Sequence, residues 1–468
     1  MERFDVIAIG AGPAGERAAI TAAKAGRRAV LIERASQVGG TRINWGTIPS
    51  KTLRESALFV LGLTSSKLDA MQCTLADEIT IADFMHRERM TVQRELGQIT
   101  RSLQQYGVRH IPGHGRLLDA HTVGVYDPGG AETARLQGDF LVIATGSSPN
   151  RPPDVPFDGD VVFDSTTVLQ IPRMPRSMVV LGAGVIGIEY ASIFAALRIR
   201  VMLVDTRDQL LPYADREIVA ILEEQLATLG ILIQHGDTYR AIHRRAGDPP
   251  MVHCLLQSGR ELEADALLYC IGRDGNTADL GLDRIGIQPD KRGLLTVNEH
   301  YQTALPHIYA VGDVIGYPAL ASTSMEQGRQ AMRHALGIPG PKLRTDQLPL
   351  AVYAIPEISY IGETEESLQR KGVRYVVGRG TYALNPRGQI LGQTGGLLKL
   401  LFEADSLRLL GAHIVGHGAS ELIHIGQVFL ANGADARQIA ETLFNYPTLS
   451  DLYRHAGLEA LKAAESSA

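Results

Sequence analysis

The chain of 468 residues, 45% hydrophobic and 21% charged, is too long for a single core and suits two to four domains, each with its own apolar interior. A formal net charge of −5 with scattered Lys and Arg argues against nucleic acid, whose phosphates need a basic stripe, and no apolar run approaches the ~20 residues of a membrane-spanning helix.

Taken in chain order, residues 4–9 read as a buried strand, 10–15 as a tight glycine turn, 16–25 as a helix and 28–32 as a second strand. Residues 96–106 suit a helix, and 107–140 read as short strands broken by Asp127-Pro128-Gly129-Gly130. A proline-rich stretch at 149–156 marks a boundary. The opening order then returns: strand 178–181, turn 182–187, helix 188–196 and strand 200–204, so the chain contains two nucleotide-binding modules. A second boundary falls at 337–341. Beyond it come strands at 351–353, 397–402 and 409–415, then helices from 421 onward, an α+β pattern without a glycine-rich turn. The start of the chain lacks the basic segment and small-residue cleavage site of a signal peptide. Three widely separated cysteines, Cys73, Cys254 and Cys270, fit neither a disulfide framework nor a Cys-x-x-Cys pair, and a reducing cytoplasm is the expected compartment. No metal site is expected.

Each turn carries a specific chemistry. Gly10-Ala11-Gly12-Pro13-Ala14-Gly15 sits between strand and helix, where backbone N–H groups and the helix N-terminus can meet a pyrophosphate. Glu33 ends the next strand, 18 residues past Gly15, where a carboxylate can hold ribose hydroxyls. Gly182-Ala183-Gly184-Val185-Ile186-Gly187 repeats the arrangement, with Asp205 again 18 residues on. One such turn could be an accidental loop, but two at identical spacing point to dinucleotides. Asp205 favours NAD(H), because a carboxylate repels a 2′-phosphate; Arg207 could accept that phosphate from NADP(H) or simply lie solvated in its loop.

Further motifs follow the same order: Gly39-Gly40, Gly46-Thr47-Ile48-Pro49-Ser50-Lys51, Ala144-Thr145-Gly146, Glu189, Gly272-Arg273 with Asn276-Thr277, Tyr309 with Gly312-Asp313, and Asn445-Tyr446-Pro447-Thr448. With the two turns, they resemble the two-dinucleotide-domain flavoproteins typified by dihydrolipoamide dehydrogenase and glutathione reductase, and within that group the soluble pyridine nucleotide transhydrogenases. The likeness spans nearly the whole chain. It implies an α/β fold with two Rossmann-like dinucleotide-binding domains and an α+β C-terminal dimerisation domain. Residues 1–150 would form the first part of the FAD-binding domain, 151–275 the NAD(P)-binding domain, 276–342 the central part of the FAD-binding region, and 343–468 the dimerisation domain. The resemblance implies FAD on Gly10, Gly12, Gly15, Glu33, Thr47, Lys51, Thr145, Gly146, Gly312 and Asp313, with Glu33 on the adenosine ribose and Asp313 near the ribityl phosphate. It implies NAD(P)H on Gly182, Gly184, Gly187, Glu189, Asp205, Arg207 and Gly272. Lys51, near the flavin and paired with Glu189, is the expected catalytic residue together with that carboxylate, since a cation beside the ring stabilises the reduced form.

The disulfide reductases of this group carry two cysteines where this chain has Arg42 and Thr47. Thiol–disulfide exchange needs an attacking thiolate and a resolving thiol, and neither a guanidinium nor a hydroxyl substitutes for them. A His-Glu acid–base pair is likewise replaced, by Tyr446 and Asp451. The transhydrogenases often keep a cysteine at the position of Arg42, so this chain departs from them there, and a second acceptor site shaped by Arg42 stays open. Tyr446 is expected to be structural, to shield substrate or to sit at a dimer interface. The expected function is ping-pong hydride exchange between NADH/NAD+ and NADPH/NADP+ through FAD, by a homodimer or larger assembly that binds neither nucleic acid nor membrane. An NAD(P)H-dependent quinone reductase or diaphorase is the alternative, with a non-enzymatic redox sensor behind it.

Overall fold

In a computed structural model, residues 1–65 and 80–467 are described, so Cys73 lies outside them. The first sheet has seven strands. Strand Glu2–Ile9 lies between Ala29–Glu33 and Glu132–Ile143, both parallel to it, and Arg109–Pro112 extends the sheet beyond Ala29–Glu33. The long strand Glu132–Ile143 has two further partners: its first half pairs antiparallel with Thr122–Tyr126, and its last residues pair in parallel with Ile308–Ala310. Ile7, Val30, Leu141 and Ile308 are fully buried, as strands covered on both faces must be.

The chain leaves this sheet after Ile143 and builds a second, all-parallel sheet in the order Leu232–Gln234, Arg200–Val204, Ser177–Leu181, Ala266–Tyr269, Val162–Asp164. Strands Ser147–Pro149 and Arg273–Gly275 pair antiparallel where the chain departs and returns. Helix Val185–Ala196 is mostly apolar on every side, Glu189 apart, and buried from Gly187 onward, between its own sheet and the long helix Thr47–Ser65. A third sheet, antiparallel, runs Leu350–Val352, Ile358–Gly362, Leu409–Val415, Leu397–Glu403, Tyr375–Thr381, and helix Leu452–Ser467 packs on its last strand.

Two helices of the first module hold the mouth of its glycine turn. Helix Pro13–Lys24 packs on Ala321–Ala335 so closely that a Cβ on Gly328 would stand 2.1 Å from the Ala14 carbonyl oxygen. The helix expected at 96–106 is the last part of a 25-residue helix, Ile81–Gln105, capped by the Thr80 hydroxyl on Asp83 N–H. Its first half buries only Phe84, Met85 and Glu88 and mixes charged with apolar residues on its outer face, so its apolar stripe is too sparse to read from periodicity. Among the described residues no helix is long and apolar enough to cross a membrane.

Candidate active site

The three glycines of each turn answer to different constraints. Gly10 and Gly182 have φ of +106° and +95°, a region that disfavours side chains, and a Cβ on either would press on backbone at Ala144 or Cys270. On Gly15 and Gly187 a Cβ would stand 2.0 and 1.9 Å from the carbonyl oxygens of Gly10 and Gly182, so helix and turn could not close. The middle glycines differ. Gly12 and Gly184 have ordinary φ of −69° and −75°, and a Cβ there would meet nothing nearer than 3.9 Å and nothing within 4 Å respectively. The fold does not need glycine at either position, whereas a pyrophosphate approaching the helix N-terminus does.

The carboxylates behind the turns are fixed by matching backbone bonds. Glu33 accepts from Ala11 N–H at 2.7 Å and Ala35 N–H at 2.9 Å; Asp205 accepts from Ala183 N–H at 2.5 Å and Arg207 N–H at 2.9 Å. Asp205 also takes a two-pronged bond from the Arg207 guanidinium, Nε and Nη2 both at 2.7 Å. Burial alone would raise the Asp205 carboxyl, but the bonds from Arg207 and the two N–H groups outweigh it and hold the carboxyl below its usual range. Arg207 is thus not free: though its side chain is 38% exposed, its guanidinium is docked on the carboxylate.

A cavity of about 740 Å³ runs from the first turn to the second module. Gly10, Gly12, Glu33, Thr47, Lys51, Thr145, Gly146, Glu189, Gly312 and Asp313 all line it. Gly15 stands behind the turn, and Gly182, Gly184, Gly187, Asp205, Arg207 and Gly272 lie outside the cavity lining, which helix Val185–Ala196 of the second module reaches through Val185, Ile186, Glu189 and Tyr190. Lys51, one turn into its helix, places Nζ 2.7 Å from Glu189 Oε2, 3.4 Å from Ser50 Oγ and 4.7 Å from the Tyr353 ring centre. The other oxygen of Glu189 accepts from Tyr353 N–H at 2.9 Å, so this buried carboxylate is held at both ends. Asp313 accepts from Ser147 Oγ at 2.9 Å, and the Gly312 N–H donates to Gln327 Oε1 at 2.8 Å.

Tyr353, Tyr190, Ser147 and Gln327 escape a reading of motifs. Tyr353 stands 164 residues from Glu189 and lies in no motif, so nothing local announces it. The residues present fit a large polar cofactor on one direct sign: the Thr145 and Tyr190 hydroxyls, both lining the cavity, are buried without a hydrogen-bond partner. Among the described residues the thiols are placed elsewhere. Cys254 is buried with its thiol raised to about 11 by burial, burial likewise raises Cys270, and neither lines the cavity. Arg42 and Thr47 do line it, Arg42 through a 3.1 Å ion pair with Glu16. Tyr446 is exposed, and Asp451 sits 3.3 Å from His455 on the same helical turn.

Residues 4–328 match the family model described as pyridine nucleotide-disulphide oxidoreductase, and residues 348–456 match that family's dimerisation domain. The chain is 42% identical over 461 residues to a soluble pyridine nucleotide transhydrogenase of Mycobacterium bovis, with 98% of each chain covered. It is also 42% identical over 471 residues to one of Yersinia pestis, again with 98% of each covered. Among solved structures it resembles LpdA of Mycobacterium tuberculosis, with a TM-score of 0.89 and 28% identity, covering 98% of this chain and 99% of that one. The HOCl-induced flavoprotein disulfide reductase RclA of Escherichia coli aligns with a TM-score of 0.86 and 27% identity, covering 97% and 99%.

Proposed function

This chain belongs to the pyridine nucleotide-disulphide oxidoreductase family, an oxidoreductase using FAD and NAD(P)H, and from that premise we propose that it exchanges hydride between NADH/NAD+ and NADPH/NADP+ by a ping-pong cycle without a redox-active disulfide. One observation carries the reading: the cavity joining the two modules is lined by Lys51 and Glu189 and, among the described residues, by no thiol. The transhydrogenase names of the relatives at 42% identity support it.

FAD, when bound, supplies a ring that accepts hydride from one nicotinamide and yields it to another. The protein's part is placement and charge. Gly12 and Gly184 leave room for pyrophosphates at two helix N-termini, and Glu33 and Asp205 wait behind them for ribose hydroxyls. Lys51 brings a positive charge into the cavity, and Glu189 with Tyr353 fixes its direction, so no side chain has to reorient as negative charge develops nearby. Arg207, already neutralising Asp205, can turn to a 2′-phosphate, which lets one site serve both dinucleotides. We assign residues 1–150 and 276–342 to FAD, 151–275 to NAD(P)H and 343–468 to self-association, in a cytoplasmic homodimer or larger assembly.

The test is anaerobic. NADPH added to the holoenzyme bleaches the flavin; a thio-NAD+ analogue added next restores its colour as reduced analogue forms in equal amount. Colour restored by a soluble quinone but not by the analogue would instead make the protein a quinone reductase, and lipoamide turnover at a matching rate would contradict the absence of a dithiol.

A further inference from the structure

We infer that Arg42, locked to Glu16, is an acceptor-selecting wall of the active-site cavity: it closes the side where helices Pro13–Lys24, Gly40–Asn44 and Ala321–Ala335 meet and keeps small oxidants, such as quinones, from the flavin. The inference rests on the FAD-dependent reading given above and adds to it what decides the electron acceptor.

Of the cations that line the cavity, Arg34, Arg42, Lys51 and Arg273, the two on neighbouring helices, Arg42 and Lys51, are anchored in opposite directions. Lys51 is tied to Glu189 on the first helix of the second module; Arg42 is tied to Glu16, the residue after the last glycine of the first turn. The Arg42 side chain is 16% exposed and that of Glu16 is 7% exposed, with Nη2 3.1 Å from Oε2. A second contact braces the arm: Met325, which also lines the cavity, places Sδ 3.8 Å from Arg42 Nη1 and 3.8 Å from Arg17 Nη2, so one thioether sits between two guanidiniums. The backbone beneath is set as well, because Gly39 and Gly40, with φ of +99° and +55°, start the short helix that carries Arg42. Guanidinium, carboxylate and thioether therefore form one piece across the junction of three helices.

Stability does not account for this arrangement. A buried ion pair gains little over apolar packing of the same volume, since desolvation offsets the attraction. Burial raises the Glu16 carboxyl, with the Arg42 and Arg17 charges only partly opposing it, so the ionised form of this carboxyl carries a net cost here. Arg42 Nε is buried without a partner, a further cost to the pair. An apolar side chain would seal the helix junction more cheaply if sealing the core were the only task. What the pair adds is a rigid, charged surface toward the cavity, where an uncharged planar oxidant gains nothing by entering.

With the wall open, the side reaction is a quinone reductase cycle: NADPH gives up hydride, the quinone takes two electrons and one further proton from solvent, and NADP+ and hydroquinone leave. The holoenzyme is compared with its R42A and E16Q variants by two readouts, collisional quenching of flavin fluorescence by acrylamide without turnover, and the rate of reoxidation of NADPH-reduced enzyme by 1,4-benzoquinone divided by that with thio-NAD+. R42A removes the arm and is expected to raise the quenching constant about threefold and the rate ratio about tenfold. E16Q keeps the arm but frees it, and moves both in the same direction by a smaller factor. Wild-type quenching and rate ratio in both FAD-loaded variants would overturn the inference; should R42A fail to hold FAD, E16Q decides. Failure of thio-NAD+ to recolour the wild type would sink the exchange reading alone, because the quenching arm needs no turnover.

Discussion

The two glycine turns are built to one plan and end in different electrostatics. In each, a carboxylate at the end of the second strand accepts from the N–H inside the turn and from the N–H two residues beyond itself. In the first module the residue two beyond is Ala35, and among the described residues no guanidinium forks onto Glu33; in the second it is Arg207, which grips Asp205 with two side-chain bonds. The first carboxylate is left without a forked cation there, and the second is held in an ion pair. Strand, turn and spacing set where the carboxylate stands, while one side chain sets the charge beside it; under the proposed function that side chain decides whether a phosphate is tolerated. That difference suits the proposed division, in which the first module keeps one cofactor and the second admits two substrates in alternation.

The largest expected effect concerns how the second module is attached to the rest of the molecule. Lys399, on the third sheet and 1% exposed, bonds at 2.8 Å to Asp215, the N-cap of the second module's helix Arg216–Thr228, and also meets Glu217 and Glu365. Replacing it in K399M strands a buried carboxylate and is expected to lower the stability of that module by about 3–5 kcal/mol, read by chemical denaturation. A loss below about 1 kcal/mol would show that apolar packing alone holds the module to the third sheet. Next comes the lysine that joins the modules: K51M should slow flavin bleaching by NADPH by about 10²–10³-fold in stopped flow, with FAD content unchanged. A K51M rate within about threefold of wild type would remove Lys51 from the chemistry.

Smaller, and aimed directly at the contrast between the turns, R207A should cut kcat/KM for NADPH by about ten- to a hundredfold and change that for NADH by less than about threefold, which makes the second turn behave like the first. Equal losses for both substrates would mean that Arg207 only positions Asp205. The smallest effect is an absence of change. The Asp205 carboxyl is held below its usual range, so the pair is fully charged above about pH 5 and is lost only as pH falls through that depressed value. The NADPH-to-NADH ratio of kcat/KM should therefore stay flat from about pH 7.5 to 9, above the ~6 second pKa of a phosphate monoester, and an inflection there would assign discrimination to another group.

The position of Glu33 and of Asp205 was legible because an 18-residue interval from the last glycine is a local quantity, set by one helix and one strand. The 25-residue helix Ile81–Gln105 was half hidden, since its outer half buries little and so leaves little pattern. The docking of Arg207 could be read either way from the chain, because two residues of spacing permit both a solvated arginine and a forked one.

By itself the amino-acid sequence determined the two turns, the acids behind them and the absence of thiols at the positions of Arg42 and Thr47, because glycine conformation, strand length and side-chain chemistry are properties of short segments. Tertiary structure alone decided that Tyr353 holds Glu189, that Lys399 buries itself against Asp215, and that Met325 and Glu16 brace Arg42. Those pairs lie far apart in the chain or on different helices, and contacts of that kind follow from how whole layers pack, which no local pattern of residues records.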